Sequence, residues 1–120
     1  MKNKTLVVGA SDNPDRYSHL AIKMLAAQGL PIIAIGKKAG KVDNINIITT
    51  LEPATDIDTV TLYLNPTKQV PYYNYILSLA PRRIIFNPGT ENDELEELAQ
   101  NNGIQPVIAC TLVLLRTGQY

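Results

Sequence analysis

The sequence holds one cysteine, Cys110, and one histidine, His19, in 120 residues. A single thiol rules out a disulfide framework within the chain, and the pair falls short of the ligand set of a structural zinc. Cysteine usage of this kind points to a reducing compartment, the cytoplasm. Excess charge is also missing, because eleven Lys plus Arg balance eleven Asp plus Glu. Nucleic-acid binding, which rests on neutralising many phosphates, therefore lacks its electrostatic footprint. No apolar run approaches the roughly 20 residues of a membrane-spanning helix. Met1-Lys2-Asn3-Lys4 passes directly into a strand-like run, without the apolar core of a secretory leader. Charged residues make up only 18% of the chain, a deficit that fits buried strand and some surface covered by a partner. Neither repeats nor low-complexity tracts divide the chain, so residues 1–120 read as one domain. Area scaling gives roughly 6,400 Å² folded against roughly 19,000 Å² unfolded, enough burial for a core without covalent staples.

What is present is an alternation of strand-length apolar runs with segments of helical period. Thr5-Leu6-Val7-Val8 is a continuous β-branched run closed by Gly9, as in a strand buried on both faces. Ser18 then stands as an N-cap, Leu20, Met24 and Leu25 share one helical face, and Gly29 ends the helix. Ile32-Ile33-Ala34-Ile35 is a second strand closed by Gly36. A basic loop from Lys37 to Asn44 leads to a weaker strand around Ile45, Ile47 and Ile48. Val60 to Leu64 is a strand stopped by Asn65-Pro66. Residues 67–80 read as one helix with Val70, Tyr73, Leu77 and Ala80 on its inner face, Pro71 being tolerable within a first turn. Arg83 to Phe86 is the next strand, followed by Asn87-Pro88-Gly89-Thr90 and an acidic helix with Leu95, Leu98 and Ala99 inside. Its carboxylates crowd the end that the helix macrodipole makes positive. Gly103, a strand at Val107-Ile108-Ala109 and a short helix from Thr111 to Arg116 complete the chain. This order predicts a three-layer α/β, Rossmann-like fold with a mostly parallel sheet of five or six strands.

In such sheets ligands bind beyond the carboxyl ends of the strands, where strand order reverses. The first of those ends, Gly9-Ala10-Ser11 through Ser18, is the most informative. Gly9 lets a ligand approach the backbone, and helix amides with the Ser11 and Ser18 hydroxyls suit a phosphate. Arg16 offers a planar fork for bidentate phosphate contact. The G-x-G-x-x-G fingerprint is absent, since Ser11 and Pro14 replace its second and third glycines. At the second strand end, where NAD-binding domains carry an acid for the ribose hydroxyls, stand Gly36, Lys37 and Lys38, with Lys41 beyond. Cations there favour a phosphorylated ribose, as in coenzyme A or NADP.

No catalytic constellation emerges. His19 reads as a capping or loop-packing residue, and Cys110, ahead of the apolar run from Thr111, as a small buried hydrophobe. Asp12, Asp15, Asp56 and Asp58 read as turn residues. Tyr72 and Tyr75 fall on a separate helical face, either exposed or covered by another subunit.

The loop Gly9-Ala10-Ser11 with Pro14, Arg16 and Ser18, the strand end before the basic loop, Asn65-Pro66, and Asn87-Pro88-Gly89 ahead of an acidic helix resemble the small stand-alone CoA-binding proteins. These are bacterial Rossmann-like domains similar to the CoA-binding domain of the succinyl-CoA synthetase α subunit. The resemblance runs from about Lys4 to Cys110. It implies CoA or an acyl-CoA lying across the carboxyl ends of the strands. Gly9, Ala10, Ser11 and Arg16 would then surround the phosphates and nucleotide. Gly36, Lys37 and Lys38 would lie near the ribose phosphate or adenine, while Asn65-Pro66 and Pro88-Gly89-Thr90 line the rest. The chain departs from the family where Gly36-Lys37-Lys38 replaces a common Asn-Pro-basic sequence, and where Asn65 replaces a frequent arginine. The expectation is a non-catalytic nucleotide-binding module, with a homo-oligomer or an enzyme as possible partner. Two alternatives remain: an NADP-dependent reductase or reductase subunit, and a degenerate Rossmann interaction module.

Overall fold

The computed structural model describes residues 4–120, so the reading of Met1 to Asn3 lies outside the described residues. Seven strands form one sheet: β1 (Lys4–Val8), β2 (Ile32–Ile35), β3 (Gly40–Val42), β4 (Ile45–Ile48), β5 (Ile57–Leu62), β6 (Arg83–Phe86) and β7 (Gln105–Ile108). Their spatial order is β3-β4-β2-β1-β5-β6-β7, parallel throughout except for β3 against β4. The chain leaves central β1, builds β2 to β4 on one side, then returns to build β5 to β7 on the other. Strand order therefore reverses between β1 and β5.

Alternation along the central strands splits the core in two. Leu6 and Val8 of β1, with Ile35, Val60, Leu62, Ile84 and Phe86, face one layer. Val7 of β1, with Ala34 and Ile47, faces the other, where Ile22 and Leu25 of α1 (Tyr17–Ala27) and Leu115 of α5 (Thr111–Arg116) close the core. Opposite them pack Ile76 of α3 (Tyr73–Ser78) and Leu95 and Ala99 of α4 (Asp93–Asn101). The result is the expected three-layer Rossmann-like arrangement. Among the described residues, no helix is long and apolar enough to cross a membrane.

Several local expectations change. The seventh strand is β3, inside the segment expected to be a basic loop; it is a three-residue antiparallel edge strand. Arg16, not Ser18, is the N-cap of α1, and Ser18 lies buried within the first turn. The inner face of α1 is Ser18, Ala21, Ile22 and Leu25, leaving Leu20 and Met24 half-buried. The single helix expected over 67–80 is broken into α2 (Pro66–Gln69), a 3-10 turn (Val70–Tyr72) and α3. Asn65 caps α2 through its side chain, so the helix starts early and Pro71 falls beyond the first turn, where it cannot donate and its ring crowds the preceding turn. That break rotates Val70 into solvent and Ile76 into the core. Ala80 sits at a positive φ of 47° in the exit turn, not on a buried face.

Tyr72 and Tyr75 are packed against the chain's own core, and the Tyr75 hydroxyl donates to the Glu52 carbonyl at 2.6 Å. Asp58 is a strand residue whose carboxylate takes two guanidinium bonds from Arg82, at 2.9 and 3.1 Å. Cys110 is half-buried at the N-cap of α5 rather than enclosed.

The two ends of the sheet differ in openness. At the amino ends, Arg83 is 7% exposed, donates from Nε to Thr59 Oγ1 at 2.9 Å and lies 4.6 Å from the centre of the Tyr120 ring. The Tyr120 hydroxyl bonds Thr5 Oγ1. The chain itself plugs that end. At the margin, the amides of Gln105 and Ala109 point at β6, bonding the Arg82 and Phe86 carbonyls, so Pro106 and Ile108 face outward.

Candidate functional site

At the opposite, carboxyl ends of the strands a cleft of about 730 Å³ opens above the point where strand order reverses. That volume suits a small-molecule ligand. Gly9 makes the geometry possible. It has φ +93°, and a Cβ there would lie 2.9 Å from the carbonyl carbon of Tyr63. Only glycine lets β1 and β5 meet this closely while turning out of the sheet. The amides of Gly9 and Ala10 both donate to the Ile35 carbonyl at 2.9 Å, tying the turn to β2.

Short-range bonds then shape the loop. Ser11 Oγ accepts the Asn13 amide at 3.1 Å, Asn13 Oδ1 accepts the Asp15 amide at 3.0 Å, and the Arg16 amide donates to the Asn13 carbonyl at 3.0 Å. His19 Nδ1 lies 3.3 Å from the Ser11 carbonyl oxygen, which is a loop-packing role, as expected.

A second set of bonds braces the far wall from beneath. Asn87 Nδ2 donates to Thr61 Oγ1 at 2.7 Å and to the Leu62 carbonyl at 2.8 Å, while its Oδ1 accepts the Thr111 amide at 2.8 Å. Gln69 Nε2 donates to the carbonyls of Leu64 and Thr90, both at 2.8 Å, and Gln69 Oε1 accepts from Asn92 Nδ2 at 2.9 Å. The loops after β5 and β6 are thus clamped to each other by buried amides.

Of the residues singled out from the sequence, Gly9, Ala10, Ser11, Arg16, Ser18, Lys37, Lys38, Asn65, Pro88, Gly89 and Thr90 line this one cleft. Gly36 and Pro66 do not. Gly36 is buried behind the wall against Ala10, and Pro66 opens α2. The Thr90 hydroxyl is spent on the Asn87 carbonyl at 2.8 Å. Residues not singled out for binding also reach the cleft, among them Asp12, Asp15, Tyr17, Tyr63 and Lys68. Lys68 carried a legible signal. Asn65-Pro66 marks a helix start, and the third helical residue lies in its first turn, beside the strand end.

Electrostatically the cleft carries four cations, Arg16, Lys37, Lys38 and Lys68, against the carboxylates Asp12 and Asp15. None of the four is in an ion pair; those among the described residues are Lys23 with Asp43 and Arg82 with Asp58. A smaller hollow of about 340 Å³ near β2 and β4 has Glu52 as its one charged lining residue. An anion would be drawn to the larger cleft.

The three helix starts around the cleft are unequal. The α1 start has neither a side-chain cap nor an acid in its first turn. At α2, Asn65 Oδ1 takes the Lys68 amide at 3.1 Å. At α4, Asn92 Oδ1 takes the Leu95 amide at 3.2 Å, and Asp93, Glu94 and Glu96 add negative charge. Of these three, α1 alone lacks a side-chain cap, and it is the start beside Arg16. In the wall beneath, burial pushes the Tyr63 phenol up to about 12. Among the described residues no cluster of His, Cys, Asp and Glu could hold a metal ion.

Comparison with known proteins identifies the family and the fold. The model of a family described as a CoA binding domain matches residues 3–116. A crystal structure of an uncharacterized protein is 50% identical, covers 100% of this chain and 99% of its own, and superposes with a TM-score of 0.96. A hypothetical protein from Pyrococcus horikoshii OT3 is 23% identical over 97% of this chain and 83% of its own, with a TM-score of 0.86. A Thermus thermophilus structure is 18% identical over 99% of this chain and 91% of its own, with a TM-score of 0.84. The last two share the fold. No curated protein matches the chain.

Proposed function

Because this chain belongs to the CoA-binding domain family, we propose that it is a non-catalytic module that holds coenzyme A or an acyl-CoA in the cleft. The diphosphate lies at the start of α1, where open amides and the Arg16 guanidinium meet it. Lys37 and Lys38 neutralise the 3′-phosphate on the ribose, and Lys68 adds a cation in the turn where Asn65 replaces the family's frequent arginine. The pantetheine arm crosses Asn65 toward Pro88-Gly89-Thr90. Supporting this reading above all is one observation: a helix start without a side-chain cap opens among four unpaired cations in one cleft. A binding role without turnover is supported by the side chains in the lining, which include neither histidine nor cysteine, and by Ser11 Oγ already serving the Asn13 amide.

Calorimetric titration with CoA, dephospho-CoA and NADP tests this. The expected result is binding of CoA, weaker binding of dephospho-CoA, and loss of that difference in the Lys37→Ala, Lys38→Ala double variant. Binding of NADP in preference to CoA would move the protein to the reductase reading. Absence of CoA binding would overturn the proposal.

A further inference from the structure

We propose that the cleft selects thioesters whose acyl group carries no negative charge, and that the Glu91 carboxylate sets this selection. The inference rests on the CoA reading above. Around the cleft the strand ends follow one another as β2, β1, β5 and β6, three spacings of about 4.8 Å each. Arg16, Lys37 and Lys38 stand over the β1 and β2 ends, and Gly89 over the β6 end. A ligand anchored by its phosphates on the cations therefore directs its acyl end at the Gly89 turn.

That turn is open in space but closed to anions. Gly89 has φ +89°, and a Cβ built on it would meet nothing within 4 Å. Its amide would be the natural donor for an incoming carboxylate, yet it already donates to Glu91 Oε1 at 2.8 Å. The neighbouring amides are spent in the same way. Asn92 N donates to Glu96 Oε2 at 3.3 Å, and Leu95 N to Asn92 Oδ1 at 3.2 Å. Asp93 and Glu94 follow in the first turn of α4. A carboxylate at the acyl terminus thus meets like charge with the Gly89, Asn92 and Leu95 amides already engaged, whereas a methyl terminus meets open space. Like charges in contact discriminate between partners more than they alter overall affinity.

Titration with butyryl-CoA and succinyl-CoA, whose acyl chains have equal length, tests this in the native protein and in Glu91→Gln. Glutamine keeps an oxygen for the Gly89 amide and removes only the charge. The native protein is expected to bind butyryl-CoA about fivefold more tightly at low salt, the upper range for a solvent-exposed charge pair, with the gap shrinking as ionic strength rises. In Glu91→Gln the two thioesters should fall within about twofold of each other, since the repulsion is gone. Equal affinities in the native protein, or a gap that persists in Glu91→Gln, would overturn the inference while leaving CoA binding intact. Failure of free CoA itself to bind would overturn the underlying reading, and this inference with it.

Discussion

Gly36 lies directly beneath Ala10, so close that a Cβ added to it would stand 2.4 Å from the Ala10 carbonyl oxygen and 2.9 Å from Ile47 Cγ2. The end of β2 thus supports the turn after β1 through backbone contact. Gly36→Ala should force these apart and cost about 1–3 kcal/mol, the usual range for overpacking. Urea denaturation measures this loss. CoA affinity should fall as well if, as proposed, the Ala10-Ser11 turn holds the phosphate end of the ligand.

Arg16→Ala should act on binding alone. The side chain is exposed and sits at the N-cap of α1 without donating a cap bond, so the folded state loses little with it. CoA affinity should weaken by about 1.5–3 kcal/mol, the range for a hydrogen bond to a charged group. Unchanged affinity by calorimetry would remove Arg16 from the site.

Asn87→Ala should be the opposite case. It strips a buried clamp from Thr61, Leu62 and Thr111, leaving a carbonyl and an amide without partners. A cost of about 2–4 kcal/mol is expected from the stranded groups and the void. Chemical denaturation would reveal it.

Tyr63→Phe should cost little at neutral pH, because the hydroxyl it removes is one that burial disfavours. Burial raises the folded phenol from the ordinary 10 to about 12. Deprotonation is then easier in the unfolded chain, so stability present below pH 10 is lost as pH rises from 10 toward 12. Melting temperature followed across that interval should fall less steeply in Tyr63→Phe than in the native protein.

Much of this architecture was legible because glycine and Asn-Pro mark strand exits in the sequence. Gly9, Gly36, Asn65 and Asn87 each follow a central strand, and their spacing gives the βα order. β3 was not legible, for a three-residue edge strand containing Lys41 offers neither periodicity nor an apolar run. The break at Val70–Tyr72 hid behind a one-residue question, namely where the helix starts. The Asn65 cap answers it and strands Pro71 in mid-helix. Gly36 closes the second strand in the sequence, and in space it permits a close approach. What approaches is the Ala10 backbone, a fact that depends on tertiary placement. Lys68 and Tyr17 reach the cleft by the same route, from helix starts whose direction only the folded sheet defines.

Pro106 gives the β7 margin a consequence for assembly. With the Gln105 and Ala109 amides turned inward and proline unable to donate, that outer rim offers a neighbour the Ile108 N–H as its one donor, beside the Pro106 and Ile108 carbonyls. Strand-by-strand extension onto a second molecule is blunted there. Self-association at this margin should accordingly use side-chain surfaces, and concentrated preparations should not grow by sheet-to-sheet joining through β7.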